Sequence, residues 1–130
     1  MATETEIDRH NVTPYLVINE ALKCIDFLRK IFNAEVIYGP IYREDKSFMH
    51  SEIRIGDSTI MIGEPPQNEK IMPACIYITV SDSKVVYDNA INEGGKPLCE
   101  PGQEGSPYYG GIEDSWGNQW WIANIWIVNL

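Results

Sequence analysis

Two residues near the middle of the chain, His50 and Glu52, could transfer a proton. They lie two positions apart in the run SFMHSEIRI, whose apolar and β-branched residues favour a strand. Because alternate residues of a strand point to the same side, both side chains would share one face. A carboxylate beside an imidazole changes its affinity for protons, which suits acid–base chemistry. Polar neighbours on a strand also pair without any catalytic role, so the sequence leaves both interpretations open.

Aromatic residues predict a binding cavity around that pair. Trp120 and Trp121 are adjacent in the last strand-like run, so they must face opposite sides of the sheet. We expect Trp120 in the core and Trp121 at a pocket wall. Alternation assigns Tyr15 and Tyr77 to the pocket side as well, which predicts one small-molecule cavity with mainly aromatic walls. Its expected ligand-binding residues are Tyr15, His50, Glu52, Tyr77 and Trp121, with Ile60 and Ile62 beside them.

The elements that position these residues form a repeat. Residues 12–64 predict a strand, an amphipathic helix and three further strands, and after a Pro-rich linker at 65–73 the same order returns at 74–127. A shift of about 61 or 62 positions superposes the halves and places Glu52 on Glu113. We therefore predict an α+β fold in one domain, residues 1–130. Its two tandem βαβββ modules would form a cupped, eight-stranded mixed sheet with the helices on the outer face.

Capping residues predict the ends of the helices and of one turn. Asn19 is the expected N-cap of the first helix, and Asn33 is the expected left-handed C-cap. Ser81 or Asp82 would cap the second helix. We expect the acidic pair Glu113 and Asp114, at the last turn, to fix backbone amides and not to contact a ligand.

Composition excludes several classes of function. The 130 residues are 44% apolar, which is enough for an ordinary core, and no stretch approaches the roughly 20 apolar residues that cross a bilayer. A formal charge of −9 would repel nucleic acid, although the same charge could either maintain solubility or attract a cation. Three cysteines without paired spacing, and no signal-peptide pattern, predict a reducing cytoplasm. Neither nucleic acid nor a membrane is an expected partner.

Four segments resemble one known family. The runs TPYLVI, FLRKIFNAEV, HSEIRIGDSTIMI and YYGGIEDSWGNQWWIAN are similar to the PhnB-like subgroup of the vicinal-oxygen-chelate superfamily, the glyoxalase and bleomycin-resistance fold. Together they lie within residues 12–125, nearly the whole chain. The chain departs from the subgroup's pattern at Asn33, where the helix-ending Gly is replaced, at Ser115-Trp116 in place of Pro-Phe, and at Asn118 in place of His.

The resemblance implies a site but not its metal. Members that use a metal hold it with four ligands, usually His, Gln or Glu, and the matching positions here are near Thr13, Ile60, Cys75 and Trp121. Only Cys75 could bind a metal, and a lone thiol lacks the ligand number and geometry of a divalent site. We therefore expect no metal and no cofactor.

Two functions follow as expectations, ahead of a third in which the domain is only a structural or interaction module, and whether the chain is an enzyme stays open. The first is a metal-independent small-molecule-binding protein that sequesters a planar or cationic compound, as drug-resistance members of the superfamily do. The alternative is a metal-free isomerase or lyase that uses His50 and Glu52 for acid–base chemistry. We also expect a homodimer, because the chain ends in the apolar run IWIVNL, with Trp126 as an anchor.

Overall fold

Two βαβββ modules follow one another in the computed structural model, which describes residues 9–67, 69–102 and 109–125. Module one contains β1 (Tyr15–Val17), α1 (Ala21–Phe32), β2 (Glu35–Tyr42), β3 (Phe48–Ile55) and β4 (Ser58–Gly63). Module two contains β5 (Cys75–Val80), α2 (Ser83–Asn92), β6 (Lys96–Cys99), β7 (Tyr109–Glu113) and β8 (Gln119–Asn124). The predicted α+β class and order of elements are confirmed. Within the described ranges, neither helix is long and apolar enough to cross a membrane.

The strands form two mixed sheets of four, in the orders β1-β4-β3-β2 and β5-β8-β7-β6. In each sheet the module's first strand pairs in parallel with its fourth, β1 with β4 and β5 with β8. The other neighbouring strands are antiparallel. The two halves therefore have the same topology, as the repeat predicts. The outer edge of β5 has no strand partner among the described residues, because β5 pairs only with β8.

Strand register corrects one predicted equivalence between the modules. Tyr15 pairs with Met61, which pairs with Glu52. In module two, Tyr77 pairs with Trp121, which pairs with Gly111. Glu52 therefore corresponds to Gly111, and its predicted match with Glu113 is wrong. The cause is the turn before β8, which spans residues 114–118, whereas the turn before β4 spans only 56–57.

One apolar core joins both modules. The rings of Phe32, on α1, and Trp120, on β8, lie 5.1 Å apart, and Trp120 is fully buried as predicted. The placement of Ile60 and Ile62 in the ligand cavity is wrong, because both are buried in this core. Ile62 pairs with the buried Leu16, and lateral neighbours in a sheet face the same side.

The helix ends agree only partly with their predicted caps. Asn19 is not the N-cap of α1: Glu20 is, in a left-handed conformation with φ 52° and without a capping side chain. The carboxylate of Glu64 instead accepts the Ala21 N–H at 3.0 Å. The C-cap prediction is confirmed, because Asn33 is left-handed with φ 57°. Asp82 caps α2 by accepting the amides of residues 84 and 85, the arrangement that favours Asp at this position.

A buried carboxylate fixes the turn that leads into β8. Asp114 accepts the backbone N–H groups of Trp116 and Asn118, the Asn118 side-chain amide and the Trp120 indole N–H, each at 2.8–2.9 Å. The predicted structural role of Asp114 is confirmed. Asn118 in turn accepts the Ala74 N–H at 2.9 Å, which ties the start of module two to this turn and sets the position of β8.

Candidate functional site

Side chains that can move a proton are joined on the sheet face of module one that points away from α1, here called the open face of module one. The Tyr15 hydroxyl lies 2.9 Å from His50 Nδ1, and His50 Nε2 lies 3.3 Å from a carboxylate oxygen of Glu52. Register explains the grouping: Tyr15, Met61 and Glu52 are neighbours in one row across the sheet. His50 is two residues from Glu52 on β3 and therefore faces the same side.

Glu52 is buried against a guanidinium from the segment before β1. Its side chain is 2% exposed, and Arg9 donates to both carboxylate oxygens, from Nε at 2.5 Å and from Nη2 at 2.8 Å. The hydrogen bonds from Arg9 lower the pKa of Glu52, burial opposes this effect, and His50 adds a smaller lowering contribution. Glu52 is therefore ionised at neutral pH. It is suited to holding His50 in place by a hydrogen bond and not to accepting a proton itself.

The ionised carboxylate determines the tautomer of His50. A carboxylate only accepts hydrogen bonds, so the contact with Glu52 requires the proton to be on His50 Nε2. In the neutral imidazole Nδ1 is then an acceptor, and Tyr15 donates its hydroxyl proton to it. Burial raises the pKa of Tyr15, and the nearby charge of Arg43 partly offsets this effect. A proton can thus pass from Tyr15 to His50, with Glu52 stabilising the imidazolium.

Two further residues shape this group. A Cβ at position 63 would lie 2.8 Å from the Tyr15 hydroxyl, so glycine at Gly63 lets the phenol cross the strand to reach His50. The Tyr38 ring meets the His50 ring edge-on, with 6.1 Å between centroids. Sequence reasoning missed Arg9, Tyr38 and Gly63. Arg9 is 43 positions from Glu52 in a polar segment, and no local pattern indicates the contact.

Among the residues that the structure describes, the corresponding face of module two carries aromatic side chains and no acid–base pair. A Cβ on Gly111 would lie 2.6–2.9 Å from three carbons of the Trp121 ring, so the indole lies flat over this glycine. Tyr109 meets the indole edge-on at 6.0 Å, and Tyr77, paired with Trp121 on β5, is 65% exposed. We call Tyr77, Tyr109 and Trp121 the aromatic platform.

The five predicted ligand-binding residues fall into two groups. Tyr15, His50 and Glu52 form the hydrogen-bonded chain of module one, and Tyr77 and Trp121 belong to the aromatic platform of module two. No hydrogen bond or ring contact joins the two groups within the described part of the chain. A groove of about 910 Å³ lies between the modules, and of the five predicted residues it includes only Tyr77. Its walls come from β5, from both helices and from the β3–β4 hairpin at residues 55–60.

The residues at the superfamily's metal positions do not fit a divalent ion. Thr13 precedes β1, the Ile60 side chain is in the core, and the Trp121 indole N–H points to Gln119 at 3.4 Å. Both oxygens of Glu52 are held by Arg9. Among the described residues, no three His, Cys, Asp or Glu side chains lie close enough together to hold a metal. These donors do not provide the oxygen and imidazole set that such ions require.

Comparison with solved structures identifies the fold. TioX from Micromonospora superposes with a TM-score of 0.71 at 12% identity, over 88% of this chain and 98% of TioX. The PhnB protein of Bacillus cereus superposes with a TM-score of 0.70 at 18% identity, over 89% of this chain and 100% of that protein. The fold is that of the vicinal-oxygen-chelate superfamily. The predicted resemblance is thus confirmed at the level of the fold.

A third structure shows a ligand and a metal on this fold. A variant of the fosfomycin resistance protein FosX from Listeria monocytogenes, in complex with Mn(II) and 1S,2S-dihydroxypropylphosphonic acid, superposes with a TM-score of 0.66. Its sequence is 19% identical, and the match covers 88% of this chain and 91% of that of FosX. At this identity the likeness extends to the fold and not to the chemistry.

Sequence comparison finds mycobacterial relatives. The uncharacterized protein Mb0911c of Mycobacterium bovis is 27% identical over 121 residues, which cover 84% of this chain and 79% of that protein. Rv0887c of Mycobacterium tuberculosis, also an uncharacterized protein, is 27% identical over 121 residues, which cover 84% of this chain and 71% of that protein. No protein-family model matches the chain.

Proposed function

We propose that the protein binds a small planar molecule without using a metal, and that the aromatic platform of module two is its main contact. The observation that carries the proposal is the flat placement of Trp121 over Gly111, with Tyr77 and Tyr109 beside it. Because the indole lies flat on the sheet and is only half-buried, its other face points away from the sheet, and planar ligands stack on such faces. Tyr77 is 65% exposed, so its ring is also accessible.

Charge favours a planar ligand over a purely cationic one. The carboxylate of Glu52 would be the natural counter-ion for a cation on the open face of module one, but Arg9 already neutralises it. A cation would therefore depend on the faces of the aromatic rings, which contribute about 0.5–2 kcal/mol. FosX, with the same fold, is a fosfomycin resistance protein. This supports a role in sequestering a harmful compound, while the residues at the metal positions argue against FosX-like metal chemistry.

A thermal-shift screen with three planar heteroaromatic compounds of equal size, one neutral, one cationic and one anionic, tests this proposal. Ligand at about 100 times its Kd should stabilise the protein by about 2.7 kcal/mol. We expect the neutral compound to bind, and Trp121→Ala to weaken its binding by at least about tenfold, or 1.4 kcal/mol. Leu22→Ala, at another exposed apolar side chain, is the control. Equal affinity in wild type and Trp121→Ala would refute the aromatic platform as the binding site. Tighter binding of the cationic compound would show that the ligand is a cation.

The alternative function is acid–base catalysis without a metal, an isomerase or lyase reaction, and one specific observation favours it. Tyr15, His50 and Glu52 are joined in one hydrogen-bonded chain that ends at a partly exposed phenol. A positioned acid or base contributes about 10²- to 10⁴-fold to a rate, so turnover would not require a metal. The test is exchange of a bound ligand's carbon-linked protons with D₂O, followed by NMR. Exchange that His50→Gln abolishes without loss of binding supports an enzyme, and no exchange in wild type favours the binding function.

A homodimer in the reducing cytoplasm is the assembly that we propose. One edge of β5 has no strand partner among the described residues, and β5 borders the 910 Å³ groove, whose apolar walls include Ile76, Ile78 and Val80. A second copy could cover both, since open edges and apolar surfaces favour pairing. Trp126 and the rest of the predicted anchor, residues 126–130, lie outside the described ranges. Three free thiols agree with a reducing compartment.

A further inference from the structure

We propose that Tyr15 is the residue that exchanges a proton with the ligand, and that His50, Glu52 and Arg9 are positioning residues behind it. The inference deepens the acid–base function proposed above and rests on it. The four side chains form one line of contacts: the Tyr15 hydroxyl to His50 Nδ1 at 2.9 Å, His50 Nε2 to Glu52 at 3.3 Å, and Glu52 to Arg9 at 2.5 and 2.8 Å.

Exposure along this line gives it a direction. Tyr15 is 45% exposed, the side chain of His50 is 17% exposed and that of Glu52 is 2% exposed. A ligand approaching the open face of module one therefore meets the phenol before it can reach the imidazole, and the carboxylate is closed to it. Tyr15 is the only one of the three that offers an accessible hydrogen-bonding atom together with a partner that can take its proton.

The hydrogen-bond types give the same direction. Glu52 accepts from Arg9 and from His50 Nε2, so it keeps the imidazole in the tautomer with a bare Nδ1. The bare nitrogen points at the Tyr15 hydroxyl. If Arg9 were absent, a buried carboxylate without its cation would bind a proton more readily and would no longer select this tautomer. Arg9 thus acts on Tyr15 indirectly, through Glu52 and His50.

The step that this geometry supports is a balanced transfer of two protons. An acidic proton of the ligand, on a carbon next to a carbonyl or on an enol oxygen, moves to the Tyr15 oxygen as the Tyr15 proton moves to His50 Nδ1. The products are the ligand anion and an imidazolium that Glu52 stabilises, and the reverse step returns the proton to another atom of the ligand. The ligand class is therefore a small molecule with an enolisable carbonyl or an enol. No oxidant, reductant or metal takes part.

Two measurements on the free protein test the arrangement independently of any ligand. In the first, ¹⁵N NMR of the two histidines should show His50 as a single Nε2–H tautomer, with the exposed His10 as the internal reference. Glu52→Gln and Arg9→Gln should both reduce the Nε2–H fraction of His50 and leave His10 unchanged. An Nδ1–H tautomer in wild type, or a tautomer that ignores Glu52→Gln, would overturn the proposal.

The second measurement uses N-acetylimidazole as a probe that acylates accessible phenols. The Tyr15 oxygen forms the new bond to the acetyl carbon as the bond from that carbon to imidazole breaks. His50 takes the Tyr15 proton and then releases it to solvent, and the departing imidazole takes up a proton from solvent. Mass spectrometry should show that His50→Gln slows acetylation of Tyr15 by roughly tenfold. This is less than the roughly 10²- to 10⁴-fold that a general base contributes in an active site, because the probe is not bound in a fixed position. The exposed Tyr77 should react equally fast in both proteins, and the buried Tyr87 should stay unmodified in both, which reports that the variant is folded.

The outcomes separate this inference from the proposed function. An equal rate at Tyr15 in wild type and His50→Gln refutes the role of Tyr15. If Tyr15 responds as expected but no ligand proton exchanges in D₂O, the relay stands and the enzymatic function fails. If exchange occurs and survives Tyr15→Phe, the enzymatic function stands and Tyr15 is not its proton-transfer residue.

Discussion

The indole of Trp121 lies so close over Gly111 that a Cβ on the glycine would be 2.6 Å from its nearest ring carbon. Gly111→Ala should therefore tilt the indole and destabilise the protein by about 1–3 kcal/mol, the usual cost of overpacking. Urea denaturation measures this cost, and near-UV circular dichroism reports the tilt. In a Trp121→Leu background the same substitution should cost clearly less. Equal costs in both backgrounds would show that the ring does not depend on the glycine.

Much of the fold could be predicted because its periodicities are local. The alternation in β5 and β8 predicts Trp120 in the core and Trp121 on the opposite face, and Asn33 predicts the end of α1, as the structure has them. The predicted orientation of Ile60 and Ile62 is wrong because Ile60 and Met61 put apolar side chains on both faces of β4, so composition alone does not orient the strand. Only its register with Leu16 does.

The contacts that define the candidate site are mostly not local, which is why the sequence did not reveal them. Arg9 contacts Glu52, which is 43 positions away in the sequence. The indole that covers Gly111 on β7 belongs to Trp121 on the neighbouring strand β8. The turn before β8 has five residues and the turn before β4 has two. A single sequence shift therefore cannot align all strands of the two modules, and it does not show that Glu52 corresponds to Gly111. A sequence repeat locates the modules but not the register that decides which side chains meet.

Asp114 should be the polar residue whose loss costs the most stability. It accepts four hydrogen bonds in the turn before β8 and is 2% exposed. Asp114→Ala leaves those donors unpaired in the core, so we expect a loss of about 3–5 kcal/mol in urea denaturation. Asp57→Ala, in an exposed turn of module one, is the matched control and should change little. A small effect at Asp114 would contradict the role assigned to this turn.

The Glu52 carboxylate should make stability depend on acid pH. Its pKa is lowered on folding, mainly by Arg9, so its contribution is present above the ordinary value of 4.5 and is lost as the pH falls through the lower folded-state value. The free energies of unfolding of wild type and Glu52→Gln should therefore differ most near neutral pH and converge in acid. Arg9→Gln should move this loss to higher pH. A difference that stays constant with pH would contradict the pKa assignment; Glu69→Gln, on the surface, is the control.

The cysteines should differ sharply in reactivity. Cys24 is fully buried, and burial together with the charge of Asp114 raises the pKa of its thiol far above the ordinary range, so little thiolate forms. Cys75 is exposed at the start of β5. With Ellman's reagent, Cys75 should react fastest in the native protein, the half-buried Cys99 more slowly and Cys24 only after denaturation, while Cys75→Ser removes the fastest phase. Rapid modification of native Cys24 would show that the core around α1 opens readily.

The final prediction concerns the homodimer and the part that the chain's last residues play in it. The Ile125 N–H bonds to the Val80 carbonyl at 3.0 Å, and Val80 lines the groove beside β5, so Ile125, the last residue that the structure describes, is held at the groove wall. Pairing across a two-fold axis would let one patch serve both copies and bury about 2,000 Å² or more, as stable dimers do. Sedimentation equilibrium should therefore give a dimer for residues 1–130 and a weaker one for a truncation ending at Ile125. A monomeric full-length chain refutes the dimer, and an unweakened dimer after truncation shows that β5 and the groove suffice without the tail.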